Sequence, residues 1–264
     1  FSIAGYGALA GIFFSVQRRH FPAASTPAIA AALLAIGTGS MLLTLLRRSH
    51  IWELSLAAGF CFFTVSLLCL LRALNSRRAT AWAAAGGLAL GLAVASRPTY
   101  LLCCVLFALP LLFRKREPAA AGAYGWRALL AAGAICAAIG LALAGYNYAR
   151  FGDPLEFGIT YQLSGTGELT NRHFSLSYVG FNFQMYFFSA LRWVATFPFL
   201  TDPILPTRPA GQAGHEYTFG LFRNLPFAWF GFIALAGLLG WRARREKDAQ
   251  LPQVIGLIAA SASG

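Results

Sequence analysis

Four residues able to do chemistry crowd into ten positions near the middle of the chain: Asn147, Arg150, Asp153 and Glu156. Carboxylates accept hydrogen bonds from sugar hydroxyls, and either can draw the proton from an attacking hydroxyl. A guanidinium forks onto phosphate oxygens. Such a set suits a sugar or phosphate headgroup. It suits equally a capped helix end with a local Arg150–Asp153 or Arg150–Glu156 pair. Two more charges stand in apolar surroundings. Arg97 lies in Ser96-Arg97-Pro98, between two greasy runs, where an arginine needs an anion. It reads as a phosphate site, or as a side chain that snorkels to the surface or pairs with Glu53. Glu53 opens an apolar run, where the helix dipole favours a carboxylate. Its place at a membrane edge keeps it among the site candidates.

The elements that must carry these residues are apolar. Of 264 residues, 58% are hydrophobic and 11% charged, with mean hydropathy +0.61. Soluble domains are about 25% charged. A water-soluble fold of this size cannot hide so much apolar surface, so the expected solvent is lipid. The net charge of +12 does not point to nucleic acid. The bases sit in short clusters between apolar runs, which is the pattern of cytoplasmic membrane loops.

The expected fold is an all-α polytopic transmembrane bundle of about eight membrane segments. Six lie in residues 1–146, at 1–16, 28–46, 51–71, 80–96, 98–113 and 126–146. The fourth and fifth are short, near the lower limit of roughly 17 residues for a span. They read as a tight hairpin with Arg97 at its apex. Gly87 and Gly91 are expected to let the two arms approach, and Gly7 and Gly11 to form a contact in the first helix. Residues 147–223 form an aromatic-rich loop with balanced charge. A seventh span follows at 224–241, and an eighth is cut short after 251.

Orientation follows from counting bases. The loops at 18–19, 72–78, 114–127 and 242–248 hold thirteen bases against three acids. The other side holds eight against six. The first side is therefore cytoplasmic, and Arg47-Arg48 is the exception to the rule. Residues 185–200 are apolar enough to suggest another crossing. That crossing would export the 242–248 bases and bury Arg192 at a cost of about 2.5–3.5 kcal/mol. An interfacial helix with its aromatics at headgroup level is the better expectation. The 147–223 loop is then extracytoplasmic.

The remaining motifs carry little. Cys61, Cys69, Cys103, Cys104 and Cys136 lie inside apolar runs and read as small buried hydrophobes. His173 and His215-Glu216 lack a second pair at ligand spacing, so no metal site is expected. Gly5-Tyr6-Gly7 and Gly165-Thr166-Gly167 have no βαβ unit around them.

Two stretches carry a resemblance. Gly91-Leu92-Ala93-Val94-Ala95-Ser96-Arg97-Pro98 is the first, and 146–158, from Tyr146-Asn147-Tyr148 to Phe157-Gly158, is the second. Glu53 two spans before the hairpin, and Asn182-Phe183 and Phe197-Pro198-Phe199 before the next span, follow the same layout. The chain resembles bacterial multi-pass GT-C glycosyltransferases, relatives of protein mannosyltransferases and of the aminoarabinose transferases acting on lipid A. The resemblance implies a hexosyltransferase-type enzyme of the cell envelope in the bacterial inner membrane. It implies transfer of a sugar from a polyprenyl-phosphate carrier on the extracytoplasmic side. Arg97 is then the candidate for the carrier phosphate, and Asn147, Arg150, Asp153 and Glu156 line the cavity. The family's catalytic acid lies in a first exported loop; no matching acidic loop is present, so the sequence is expected to start after it, and the base is not assigned. No cofactor is expected beyond the lipid-linked donor; the need for a divalent metal stays open. Two other readings compete: a transporter or flippase of a lipid-linked anion, built on a broken helix pair around Arg97, and a non-catalytic membrane scaffold subunit.

Overall fold

The computed structural model describes residues 1–39, 51–112, 124–158, 161, 175–197, 199–201, 203, 206–212, 220–224, 228–229, 231–233 and 236–237. The chain is mostly helical. Its main elements are α1 (Ser2–His20), α2 (Thr26–Gly39), α3 (Ile51–Asn75), α4 (Ala79–Ser96), a 3-10 segment (Pro98–Cys104) leading into α5 (Val105–Leu112), and α6 (Trp126–Phe151). Three of these are long and apolar enough to cross a membrane: Glu53–Asn75 within α3, then α4 and α6. Arg47-Arg48, the 114–116 bases, His173, His215-Glu216 and the truncated eighth span lie outside the described residues.

Local chemistry sets the helix ends. α1 closes on Arg18, Arg19 and His20, and α3 runs from Glu53 in its first turn to Arg72 in its last. Both patterns complement the helix dipole. α4 stops because of Pro98. A residue before proline is pushed out of the helical region, and Arg97 accordingly has φ −150 and ψ 118. Pro98 then opens the 3-10 segment. That tighter winding rises about 2.0 Å per residue. The 98–112 arm therefore reaches further than an α-helix of its length, which is how a short arm runs back along α4.

Side-chain contacts fix the directions. Gly5 meets Phe60 and Cys61, Gly11 meets Leu68, and Arg19 hydrogen-bonds Asn75, so α1 and α3 are parallel. Ser66 donates to the Gly86 carbonyl at 3.0 Å and Arg97 reaches Ser55, so α4 runs antiparallel to α3. Gly87 lies on the Ala132 backbone and Gly91 on Cys136 and Ile139, so α6 is parallel to α4. The core between them is made of Leu67, Leu70, Ala73, Ala79, Ala83 and Ala93.

Two expected contacts are reassigned. Gly87 and Gly91 face α6, not the second hairpin arm; Gly86 meets that arm through Phe107. In α1 the close contact is made by Gly5, while Gly7 has open space around it. The sixth helix also outlasts its expected end at 146, because Tyr146–Phe151 keep helical bonding until Gly152.

The later segment is built differently from expectation. Leu176–Tyr178 and α7 (Val179–Phe188) form one short helical stretch. β1 (Arg192–Trp193) and β2 (Leu200–Thr201) then pair antiparallel, with Arg192 opposite Thr201. So 185–200 is a helix end plus a hairpin, not one interfacial helix. A ten-residue helix is only about 15 Å long, half a hydrocarbon core. Asn224, at the end of α8 (Leu221–Asn224), ties this unit together: its amide donates to the Ser189 carbonyl at 2.8 Å and its oxygen accepts from the Leu191 N–H at 3.2 Å.

Candidate anion site at one end of the helix bundle

Arg97 is positioned by its backbone first. Its N–H donates to Ala93 O at 2.8 Å, closing α4, and its carbonyl accepts from the Tyr100 N–H at 3.1 Å. Tyr100 is wedged over Gly59 and lies 5.3 Å from the Phe63 ring. The half-buried side chain then donates from Nε to Ser55 Oγ at 3.3 Å. Using Nε this way leaves the two terminal nitrogens, the fork that grips phosphate, for another partner. Among the described residues no carboxylate pairs with Arg97.

Glu53 shares this end of α3 but not this face. Two residues along a helix is about 200° around it, so Glu53 and Ser55 point apart. Ser55, Gly59 and Ser66 line the α4 side; Cys61 and Thr64 line the α1 side, where Thr64 reaches Gly5 O at 3.2 Å. Glu53 falls with the second group. Its Oε2 is buried and finds no hydrogen-bond partner among the described residues. The Arg97–Glu53 pairing is therefore not formed.

The 147–156 stretch caps α6. Gly152 adopts φ +74 and returns its N–H to Tyr148 O at 2.8 Å. This left-handed position is the one glycine favours at a helix C-terminus. Asn147 is 3% exposed and its amide donates to Pro154 O at 3.3 Å, folding the turn back on the helix. Asp153 accepts the Leu155 N–H at 2.8 Å. The exposed Arg150 donates to Tyr146 OH at 3.4 Å and lies 4.8 Å from the Phe151 ring centroid. Glu156 is half-buried, and its N–H reaches Asp153 O at 3.4 Å. Asn147 and Asp153 thus have local structural duties, while Arg150 leans on aromatic rings.

Parallel α4 and α6 bring the two groups to one end. The pairings of Gly87 with Ala132 and Gly91 with Cys136 put Arg97 level with about residue 142 of α6. Asn147 lies only about 8 Å further along the axis. Arg150 is five turns beyond Ala132 at about 3.6 residues per turn, so it rides the stripe of α6 that faces α4. Arg97 and Arg150 therefore share one end of the bundle, Arg97 turned toward Ser55 of α3 and Arg150 on α6, with Asp153 and Glu156 just beyond.

Among the described residues no three His, Cys, Asp or Glu stand together as metal ligands. The five cysteines are free thiols, with Cys104 and Cys136 sulfurs 4.0 Å apart. Ser55 and Tyr100 escaped the sequence reading. The signal for Ser55 was a hydroxyl in an apolar run; for Tyr100 it was a polar ring one turn past a hairpin arginine. Comparison with protein-family models, curated proteins and solved structures finds no match.

Proposed function

We propose that this chain is the membrane part of a glycosyltransferase that moves a sugar from a polyprenyl-phosphate carrier to an extracytoplasmic acceptor. It would be a multi-pass protein of about eight segments in a bacterial inner membrane. The observation that carries the reading is Arg97: half-buried, oriented through Nε by Ser55, and at the same end of the bundle as Arg150. A lipid-borne phosphate arrives sideways through hydrocarbon, and α6 is exposed along most of its length to such an approach. The lipid-linked sugar would put its phosphate on the Arg97 fork and its sugar toward 147–156.

The chemistry is displacement at the anomeric carbon. The acceptor oxygen forms the new bond to that carbon and loses its proton to a carboxylate. The bond to the phosphate oxygen breaks, and that oxygen keeps the electron pair. Arg97 steadies the charge that grows there, and a preorganised cation in a dry site is worth most at that moment. The carboxylate is not assigned.

The test is Arg97→Ala in the full-length protein, in membranes supplied with polyprenyl-phosphate-linked sugars. Transfer should fall by about a hundredfold or more, and binding of sugar-free polyprenyl phosphate should fall with it. Binding and transfer equal to the unaltered protein would remove Arg97 from the site and the proposal with it.

A further inference from the structure

The opposite end of the bundle carries a second charged surface, one the transfer reaction does not use. Parallel α1 and α3, joined by the Arg19–Asn75 hydrogen bond, bring Arg18 and Arg19 to the same end of the bundle as Arg72. The α3–α4 turn adds Arg77 and Arg78, and the first turn of α6 adds Arg127. All six guanidiniums belong to exposed residues. The three described acids, Glu53, Asp153 and Glu156, all sit at the other end. Among the described residues of that end six cations stand with no acid, and the loops assigned to that side hold thirteen bases against three acids, so the surface is strongly basic.

Depth along the helices says what covers it. Arg72 stacks 4.9 Å from the Trp82 ring centroid, and Trp126 is 69% exposed at the start of α6. Tryptophans at the ends of apolar helices sit at headgroup level. The arginines therefore lie at the bilayer surface rather than out in water, where a nucleic acid would approach.

We propose that this face binds acidic phospholipid headgroups, each phosphodiester held between α1 arginines and those of the α3–α4 turn. Charge complementarity selects acidic over zwitterionic lipid. Each arginine near such a surface changes affinity about fivefold. The site is independent of the sugar-transfer reading.

The experiment uses purified full-length protein in mixed micelles with equal phosphatidylglycerol and phosphatidylcholine, counting retained lipids by native mass spectrometry. The unaltered protein should keep phosphatidylglycerol preferentially and lose it as salt rises. The combined change Arg18→Gln, Arg77→Gln, Arg78→Gln should weaken retention about a hundredfold. Lysine at the same three positions preserves the charge, and with it membrane orientation, and should keep retention within about threefold. Equal retention of both lipids by the unaltered protein would overturn the proposal even if the glutamine variant fails to insert. So would a glutamine variant that holds phosphatidylglycerol as well as the parent, or a duplex oligonucleotide that displaces the lipid from these arginines.

Discussion

Arg97 becomes useful because of the residue after it. Pro98 forces the extended backbone that ends α4, and Ser55 then takes Nε, so the guanidinium points one way before any ligand arrives. Ser55→Ala removes that aim. A single neutral acceptor is worth about 1 kcal/mol, so polyprenyl phosphate should bind about fivefold more weakly to the alanine variant in a nanodisc titration, and Ser55→Thr should restore it. Unchanged binding by Ser55→Ala would mean the hydrogen bond positions nothing. Tyr124 offers a second residue-scale test. Its hydroxyl donates to Phe107 O at 2.6 Å, and burial pushes the phenol up from 10.0 to about 12. The neutral form is the one the fold prefers. Its contribution is full below pH 10 and drains away as pH rises toward 12. Thermal unfolding in detergent should show this alkaline loss, and Tyr124→Phe should lower stability at neutral pH by about 1 kcal/mol while flattening the profile between those values.

At the scale of elements, helices were legible and their partners were not. Apolar runs long enough to span gave α3, α4 and α6, because lipid requires every backbone polar group to be satisfied within the segment. Small residues marked surfaces of close approach, but smallness does not say who approaches. Gly87 and Gly91 were expected to face the second hairpin arm; they face α6, and the neighbouring Gly86 faces the arm. The 185–200 stretch reads as an interfacial helix because it is apolar, yet a crossing would export the 242–248 bases and bury Arg192. Its Phe199 adopts φ 66, which no helix tolerates, and the chain turns there into a hairpin. For the site, Arg97 and the 147–156 charges stood out as ions beside apolar runs. Ser55 did not, since a hydroxyl in a span is ordinary until its partner is known. A matched pair of substitutions tests the helix contact. Gly87→Ala drives a methyl into the Ala132 backbone and should cost about 1–3 kcal/mol. Gly133→Ala, on the same two-helix unit but with nothing within 4 Å of its new methyl, should be neutral or stabilise by up to about 1 kcal/mol. Equal effects on the detergent melting temperature would contradict the parallel packing of α4 on α6.

For the whole molecule, the deciding property is polarity along the bundle axis. Helix directions sort the charges of α1, α3, α4 and α6 and their turns without reference to any membrane: six arginines gather at the end where α1 and α3 finish, while Arg97, Arg150 and the three described acids gather at the end where α4 and α6 finish. Segments rich in Lys and Arg stay on the cytoplasmic side during insertion, while acids contribute little. The arginine-rich end should therefore face the cytoplasm, leaving Arg97 and the 147–156 turn outside, where a carrier-linked sugar would be used. Single cysteines at Thr80 and Tyr148 can read this directly. Thr80 is exposed one residue into α4 at the basic end, and Tyr148 is 63% exposed near the close of α6. Cys103, Cys104 and Cys136 are partly exposed, so both positions are tested in a background with the five native cysteines replaced by alanine. In intact spheroplasts a membrane-impermeant maleimide should label Tyr148→Cys and leave Thr80→Cys unmodified until the membrane is broken. The reverse pattern would set six arginines outside against the insertion rule and turn Arg97 toward the cytoplasm. An exported acceptor could then not reach it, and the sugar-transfer proposal would fall while the acidic-lipid surface, which depends on charge and depth rather than on side, would stand.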